Sequence, residues 1–254
     1  MMFEYAIVRK PGKSLVNGIT SASLGKPDYE KALEQHAAYI EALKSCGVEV
    51  TVLEADEKYP DYVFVEDTAV VTGKCAVITN PGAESRKGEE VEIEKALTDF
   101  HENIEHIQSP GTLDGGDVMM VDDHFYTGLS ARTNREGAEQ FAWILEKYGY
   151  GSSTIPLEKV LHLKTGLAYL ENNNLVVAGE FIHLPIFEIF AKIVVEESES
   201  YAANCIWVNG KVIMPAGYEK VKQEVEEAGY NVLTVEVSEF RKLDGGVSCM
   251  SLRF

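Results

Sequence analysis

Cysteine is scarce in this chain, and no two cysteines have metal-binding spacing. The 254 residues include four cysteines (Cys46, Cys75, Cys205 and Cys249) and no CxxC pair. The sequence therefore lacks a zinc-ligand motif and the disulfide density of small secreted domains. We expect no metal, no cofactor and a reducing compartment, which makes the cytoplasm the expected location.

The sequence also shows no signal for a targeting segment, a membrane span or a linker between domains. The start, Met1-Met-Phe-Glu-Tyr-Ala, has neither the basic segment nor the apolar run of a signal peptide, and no stretch predicts a membrane span. No Pro/Ser-rich linker divides the sequence, which is 45% hydrophobic and long enough to bury a large core. We predict one domain covering residues 1–254.

Positive charge is in short supply. The chain has 23 Lys and Arg against 41 Asp and Glu, a net charge of −18. Such a charge repels nucleic acid and anionic membrane surfaces and attracts cationic ligands. We therefore expect a small cationic partner, no nucleic acid and no membrane. An acidic surface that serves only solubility is the competing interpretation, and a homodimer is an open alternative for the assembly.

The sequence repeats one plan five times. Each repeat opens with a polar or glycine-containing turn, followed by an apolar run, a short polar turn and a second apolar run. The steps between corresponding residues are 48, 48, 42 and 45, a period typical of one supersecondary unit. The corresponding positions are Glu66, Asp114, His162, Asn204 and Cys249.

Amphipathic stretches with helix start and stop signals lie between the strand pairs. We predict a helix from the cap Asp28 to Gly47, and others over residues 88–100, 134–149 and 218–229. Each is followed by a β-branched run. The repeat predicts an α/β fold, a five-bladed α/β propeller of pseudo-fivefold ββαβ-type modules around a central active-site well, with Met2 to Arg9 completing the last module. An open doubly wound sheet is the alternative.

Acidic side chains surround a buried run early in the chain. Asp61, Glu66 and Asp67 flank Val63-Phe64-Val65, whereas a solvated charge run is not usually interrupted by three large apolar residues. Carboxylates at the end of a buried strand indicate a site for a cation.

Cys249 and His162 are the candidate reactive pair. Cys249 follows Gly245-Gly246, which permit close approach of a ligand, and occupies the same repeat position as His162. The other three cysteines lie among apolar neighbours and fit a core role, and a core role is also the alternative for His162. A thiol, an imidazole and carboxylates can together attack and protonate a guanidinium, whose planar N–H fork matches paired carboxylates.

These residues lie in motifs that resemble those of the dimethylarginine dimethylaminohydrolases, a family of the guanidino-group-modifying superfamily with the five-bladed pentein fold. The similarity spans nearly the whole chain. The matching motifs are Ser-Leu-Val-Asn-Gly after Lys13, Leu24-Gly-Lys-Pro-Asp-Tyr29, Phe64-Val-Glu-Asp67, Pro81-Gly-Ala-Glu-Ser-Arg86, Leu113-Asp-Gly-Gly-Asp117, Ser130-Ala-Arg-Thr-Asn134, Leu161-His-Leu-Lys-Thr-Gly166 and Asp244-Gly-Gly-Val-Ser-Cys249.

The resemblance implies hydrolysis of Nω-methylated L-arginine to L-citrulline and methylamine or dimethylamine through a covalent cysteine adduct. It also implies a role for ten residues. They are the nucleophile Cys249, the acid–base residue His162 and the third catalytic residue Asp114, with Asp61, Glu66 and Asp67 on the guanidinium, Arg86 and Arg132 on the substrate carboxylate, and backbone atoms near Ile19 and Leu243 at the amino-acid end.

Two positions bear on the details of this function. Some bacterial relatives carry Glu where this chain has Asp114, so the reach of that carboxylate can differ. Arginine and agmatine deiminases carry an Asp two residues after the catalytic histidine, where this chain has Lys164. On a methylated nitrogen that Asp would lose its donor, so Lys164 favours a methylated substrate.

Two other functions remain open at this point. A deiminase of arginine or of another small guanidine would release ammonia instead of methylamine. A pure binding module of the same fold, as in a ribosome anti-association factor, would lack the reactive residues that this sequence retains. Residues 14–27, rich in Ser and Gly, predict either a lid over the substrate or an ordinary connection.

Overall fold

A computed structural model describes residues 2–254 and shows five small sheets, each made of three strands. The strands are β1 (Tyr5–Arg9), β2 (Glu49–Leu53), β3 (Ala69–Val71), β4 (Ala76–Ile78), β5 (Ile104–His106), β6 (Val118–Val121), β7 (His124–Leu129), β8 (Gly151–Pro156), β9 (Leu167–Tyr169), β10 (Asn174–Ala178), β11 (Ala191–Val195), β12 (Ile206–Val208), β13 (Lys211–Pro215), β14 (Asn231–Val235) and β15 (Leu252–Arg253). The helices are α1 (Tyr29–Ser45), α2 (Glu90–Leu97), α3 (Arg135–Lys147), α4 (Glu219–Glu227) and α5 (Ser238–Arg241).

All five sheets share one pairing pattern. The first two strands of each sheet are antiparallel and the second pair is parallel, in the orders β3-β4-β5, β6-β7-β8, β9-β10-β11, β12-β13-β14 and β15-β1-β2. Antiparallel neighbours need only a tight turn, whereas the parallel pair needs a crossover connection. The repeated turn, hairpin and crossover are the modules that the sequence period predicts, and the five-module α/β fold is confirmed.

The two ends of the chain build one module together. β15 pairs with β1 through Ala6 opposite Arg253 and Ile7 opposite Leu252. The backbone N–H groups of Glu4 and Tyr5 also donate to the carbonyl oxygen of Phe254, at 2.8 and 2.7 Å. The prediction that the N-terminal strand completes the last module is therefore confirmed.

Helix caps agree with the sequence signals. Asp28 accepts a hydrogen bond from Lys31 N at 3.0 Å, and Asn134 accepts one from Gly137 N at 2.8 Å. α1 and α3 are followed by Gly47 and Gly149, whose φ angles of 82° and 77° suit glycine. The four predicted helices are all present, with ends a few residues inside the predicted ranges.

The third module departs from the expected repeat. Its crossover between β10 and β11 contains two short 3₁₀ turns, Gly179–Phe181 and Pro185–Phe187, instead of an α-helix. Gly179 has φ 59°, and Pro185 has no N–H to donate to a preceding turn. The expectation of a helix in every module is therefore wrong for this one.

The apolar core lies between neighbouring modules and not in a single central layer. One buried cluster joins β4 and β7 to α3 through Val77, Phe125 and Phe141. Another joins β10 and β13 through Val176 and Met214. Because each cluster needs side chains from two modules, no module can bury its apolar face alone. In residues 2–254 no helix is both long enough and apolar enough to cross a membrane.

Candidate active site

A short 3₁₀ turn precedes the first strand of each module, and these turns meet around the pseudo-fivefold axis. The first turn contacts the second and the fifth, the second contacts the third and the third contacts the fourth, while Asn204, directly after the fourth turn, donates to Ser248 Oγ in the fifth. The turns are Val65–Thr68, Gly115–Asp117, Leu163–Thr165, Glu197–Ala203 and Ser248–Met250. A Cβ on Gly115 would lie 2.0 Å from the carbonyl oxygen of Glu66, so two turns approach more closely than any side chain allows. This packing brings together residues that are one period apart in sequence.

Cys249 lies in the last turn, partly exposed to a small cavity that His162 also lines. Its sulfur accepts a hydrogen bond from Gly246 N at 3.3 Å. Burial, together with the charges of Glu66 and Asp67, raises the pKa of this thiol to about 12. While the site is empty, the sulfur is therefore a thiol at neutral pH.

His162 and Asp114 form a buried acid–base pair. The imidazole Nε2 lies 3.1 Å from Asp114 Oδ2, and Asp114 is wholly buried. Burial would lower the pKa of His162, but Asp67 and Asp114 raise it to about 9. Asp114 also accepts from Gly82 N at 2.8 Å, and its shorter side chain still reaches the histidine.

Asp67 and Arg86 form a second buried pair beside the histidine. Arg86 Nη1 donates to Asp67 Oδ2 at 2.5 Å, and Arg86 Nη2 donates to Glu89 at 2.7 Å. Burial opposes ionisation of Asp67, but His162 and Arg86 hold its pKa at about 2. Arg86 is thus buried among carboxylates behind the cavity, while Arg132 is more exposed and its Nη1 lies 3.7 Å from Asp114.

Asp61, Ile19 and Leu243 lie together at the edge of the site. Ile19 N donates to Asp61 Oδ1 at 3.0 Å. A Cβ on Gly18 would lie 2.8 Å from Asp61 Oδ1 and 3.0 Å from Leu243 Cδ1. Burial raises the pKa of Asp61, and Arg86 opposes that shift. Segment 14–27 therefore reaches the site through Ile19.

Glu66 is bonded to side chains from two other modules. Lys164 Nζ donates to Oε1 and Ser248 Oγ donates to Oε2, both at 2.7 Å, while Arg253 Nη2 lies 3.5 Å from Oε1. The residue two positions after the histidine is therefore an ion-pair partner of Glu66. Lys164 therefore occupies one oxygen of the Glu66 carboxylate, which the family resemblance assigns to the substrate guanidinium.

Asn204 occupies the fourth repeat position but was not among the predicted site residues. Its side chain accepts from Ser248 N at 2.9 Å and donates to Ser248 Oγ at 3.0 Å and to the Lys164 carbonyl at 2.9 Å. It therefore links the nucleophile turn to the histidine turn. The repeat period, which identified the other four positions, also indicates Asn204 as a residue of the site.

Two cavities lie on opposite sides of Glu66, Lys164 and Ser248, which line both of them. The cavity with Cys249 and His162 measures about 30 Å³, far below the roughly 300 Å³ of a small-molecule pocket. The other, of about 400 Å³, runs between the first strands of the modules. In this conformation the reactive side is therefore too small to enclose an amino acid.

Asp67, Asp114 and His162 are the residues that could share a cation. Within the described residues, their ligand atoms lie within 4.8 Å of one another. Asp67 is already paired with Arg86, and Asp114 accepts from Gly82 and His162. The predicted absence of a metal remains a prediction. The other cysteines, Cys46, Cys75 and Cys205, are unpaired and buried, as predicted for core residues.

The family model for eukaryotic N,N-dimethylarginine dimethylhydrolase matches residues 23–198. The chain is 59% identical over 254 residues to the dimethylarginine dimethylaminohydrolase of Pseudomonas aeruginosa, covering 100% of both chains. It is 35% identical to the Streptomyces coelicolor protein of the same name, covering 100% of this chain and 98% of that one.

Solved structures show the same similarity. A cysteine-to-serine variant of the Pseudomonas aeruginosa enzyme, complexed with citrulline, matches with a TM-score of 0.99 at 59% identity over 100% of both chains. The N-terminal domain of ArgZ, a cyanobacterial arginine dihydrolase, matches with a TM-score of 0.88 at 20% identity over 98% of this chain and 96% of that one, which shows a shared fold. The chain belongs to the dimethylarginine dimethylaminohydrolase family.

Proposed function

We propose that the protein hydrolyses Nω-methylated L-arginine, namely asymmetric dimethylarginine and monomethylarginine, to L-citrulline and dimethylamine or methylamine. The observation that carries this proposal is the convergence of the Cys249 thiol, His162 and the buried Glu66 on one cavity, with Asp114 bonded to the histidine. The 59% identity over the full length to the Pseudomonas aeruginosa enzyme supports the same activity. The citrulline complex of that relative supports an arginine-like ligand for this site.

The substrate fits the charge and shape of the site. Asp67, Glu66 and Asp61 supply negative charge for the guanidinium, and a planar N–H fork pairs well with carboxylates. Arg132 supplies positive charge for the substrate carboxylate, whereas the charge of Arg86, the other arginine proposed for this role, is already paired with Asp67 and Glu89. The backbone N–H of Ile19 donates to Asp61, and the side chain of Leu243 lies close by, where the amino-acid end would bind.

The first chemical step forms a bond from sulfur to carbon. The Cys249 thiol is the stable form in the empty site because its pKa is about 12. A guanidinium beside it stabilises the thiolate, so substrate binding favours loss of the thiol proton to solvent, and the thiolate takes a proton back from solvent when the product leaves. The thiolate attacks the guanidinium carbon to give a tetrahedral intermediate.

The next step breaks the carbon–nitrogen bond. His162, with a pKa of about 9, carries a proton at neutral pH and is positioned by Asp114. It protonates the methylated nitrogen, which leaves as the amine, and the carbon remains on sulfur as a thiouronium. The enzyme then holds a neutral His162 ready to act as a base.

Hydrolysis completes the cycle. His162 takes a proton from water as the oxygen attacks the thiouronium carbon. The carbon–sulfur bond then breaks, which releases citrulline and regenerates the Cys249 thiolate. The remaining proton ends on the released amine, so atoms and charge balance.

Lys164 explains the proposed preference for methylated substrate over arginine. Its ammonium pairs with Glu66 at 2.7 Å, at the position where deiminases carry an acid. A carboxylate there would lack a donor on a dimethylated nitrogen and would remain buried and unpaired, which costs about 1–3 kcal/mol or more.

Product analysis tests this function. The protein is incubated separately with asymmetric dimethylarginine and with arginine, and citrulline, dimethylamine and ammonia are measured. We expect citrulline and dimethylamine in equal amounts from the first and little ammonia from the second. Ammonia from arginine without dimethylamine release would indicate a deiminase, and no citrulline from either would contradict the proposal. Cys249→Ser should be inactive, and Cys46→Ala, at a buried cysteine outside the cavity, should retain activity.

The cytoplasm is the proposed compartment. All four cysteines are unpaired in the structure, as expected for a reducing environment. A homodimer remains a proposal for the assembly, to be tested by sedimentation.

A further inference from the structure

Asp117 is a buried carboxylate that the proposed mechanism does not use. Its Oδ2 accepts from Ser130 Oγ at 2.6 Å and from Thr133 Oγ1 at 2.7 Å, and its Oδ1 accepts from Leu163 N at 3.0 Å. The residue has no solvent exposure, and in the described part of the chain no lysine or arginine forms an ion pair with it. Burial raises the pKa of Asp117, while the charge of His162 and the three hydrogen bonds oppose that shift and favour the ionised form.

Each of the three bonds reaches a different part of the site. Leu163 directly follows His162. Thr133 Oγ1, which donates to Asp117, also accepts from Asp114 N at 3.1 Å. Ser130 Oγ, the third partner, accepts from Arg132 N at 3.0 Å. One carboxylate is therefore bonded to the backbone beside the histidine and, through two hydroxyls, to the backbones of its acidic partner and of the arginine.

We propose that Asp117 is a positioning residue that holds the His162 turn in register with Asp114 through its bonds to Leu163 and Thr133. This inference rests on the proposed function, because the position of the His162 turn affects turnover only if His162 takes part in that reaction. The contacts place Asp117 behind the histidine and not among the residues that line the cavity, so it acts through His162 and not on substrate.

An amide cannot replace this carboxylate. Asparagine has one oxygen and an NH₂ group, whereas Asp117 faces three donors. If the amide oxygen faces the hydroxyls, the Leu163 N–H faces another donor. If the amide is turned round, the Ser130 and Thr133 hydroxyls lose their acceptor, and the Ser130 oxygen already accepts from Arg132 N. In either orientation, one side of the bridge between the turns is broken.

Besides positioning the histidine through hydrogen bonds, Asp117 acts on His162 through its negative charge. The groups that face His162 are Asp67, Asp114 and Asp117, with Cys249 across the cavity. Burial lowers the pKa of His162, and the three carboxylates raise it. Removing one of them should lower the pH at which the imidazole loses its proton, an effect that a purely structural role would not produce.

Asp117→Asn tests the proposal with two measurements. Steady-state kinetics with asymmetric dimethylarginine should show kcat lowered about 10²-fold, the loss expected when a catalytic group is displaced by about 1 Å, with a smaller change in KM. NMR titration of the His162 ring should show proton loss at lower pH than in wild type. An unchanged titration, or a kcat within about twofold of wild type, overturns the proposal.

Two further variants keep the result interpretable. Glu239→Gln removes another buried carboxylate, bonded to Asp28 N and Lys242 away from the cavity, and should reduce stability without shifting the His162 titration. If Asp117→Asn does not fold, Thr133→Val removes one donor and should lower kcat about tenfold, and an unchanged kcat overturns the proposal. If wild type does not turn over dimethylarginine, the proposed function fails, while the NMR titration still tests Asp117.

Discussion

His162 and Asp114 form a buried pair in which His162 Nε2 lies 3.1 Å from Asp114 Oδ2, and the charge of Asp67 also acts on the imidazole ring. A Cβ on Gly116 would lie 2.9 Å from His162 Nδ1 and 2.8 Å from Asp67 Oδ1, so both side chains border this glycine. The imidazole therefore keeps a proton at neutral pH despite its burial. This arrangement supplies the acid that the first half of the proposed reaction needs.

The His162 pKa predicts a loss of stability at alkaline pH. Its pKa is raised from 6.5 to about 9 by folding, so the stabilisation is complete below pH 6.5 and disappears as pH rises through about 9. The loss is at most about 3 kcal/mol. Urea unfolding at pH 6.5 and pH 9 measures it, and His162→Gln should show a smaller difference. An equal loss of unfolding free energy between pH 6.5 and pH 9 in both proteins would show that His162 is not its source.

The Glu66–Lys164 ion pair predicts strong coupling between two turns. Lys164→Met leaves Glu66 buried with fewer partners and should cost about 1–3 kcal/mol of unfolding free energy. In a double-mutant cycle with Glu66→Gln, we expect a coupling energy of about 1–3 kcal/mol. The exposed pair Lys147–Glu105 is the matched control and should give less than about 1 kcal/mol. Additive losses at Glu66 and Lys164 would show that the pair does not hold the turns together.

Asn204 is predicted to position the nucleophile turn. Asn204→Asp keeps the shape but removes the donors to Ser248 Oγ and the Lys164 carbonyl. We expect kcat to fall about tenfold or more, measured by citrulline formation under saturating substrate. Asn209→Asp, which alters bonds to Phe3 and Cys46 outside the cavity, is the control and should leave kcat near wild type. A similar fall in kcat for both substitutions would show that Asn204 does not position the nucleophile turn.

Asp244 is predicted to hold segment 14–27 over the site. Its Oδ2 accepts from Ser21 N at 2.5 Å and Ser21 Oγ at 3.0 Å, and Asp244 has φ 58°. Asp244→Gly removes the acceptor without backbone strain. We expect faster proteolysis within the segment and a higher KM.

Asp244→Asn is the matched control for this segment, because asparagine tolerates the same φ and keeps one acceptor oxygen. It should resemble wild type in both measurements. A substrate analogue should also slow proteolysis of the wild-type segment. Cleavage at the same rate in all three proteins, with or without the analogue, would identify the segment as an ordinary connection.

The sequence predicts the modules and the meeting of their turns because both depend on a period. Glu66, Asp114, His162 and Cys249 occupy one position in the repeat, and identical modules around an axis bring identical positions together. The partners of these residues could not be predicted in the same way. Contacts such as Lys164 with Glu66 depend on side-chain directions in two turns that are distant in sequence, which no spacing encodes.

Burial of isolated polar residues was also beyond the sequence pattern. From the sequence, His36 is expected to be a helix-surface or loop residue, and the structure shows that this expectation of exposure is wrong. Its side chain is buried beside Phe240 of α5, where burial, with a contribution from Lys10, lowers its pKa to about 4. The short α5, which covers this face, carried no signal strong enough to predict.

The covalent adduct on Cys249 tests the central claim most directly. Wild-type protein is mixed with asymmetric dimethylarginine, quenched in acid during turnover and analysed by intact-mass and peptide mass spectrometry. We predict a mass increase equal to substrate minus dimethylamine, located on the peptide that contains Cys249 and missing from Cys249→Ser. Turnover to citrulline in the Cys249→Ser protein, or an adduct on another residue, would contradict the mechanism.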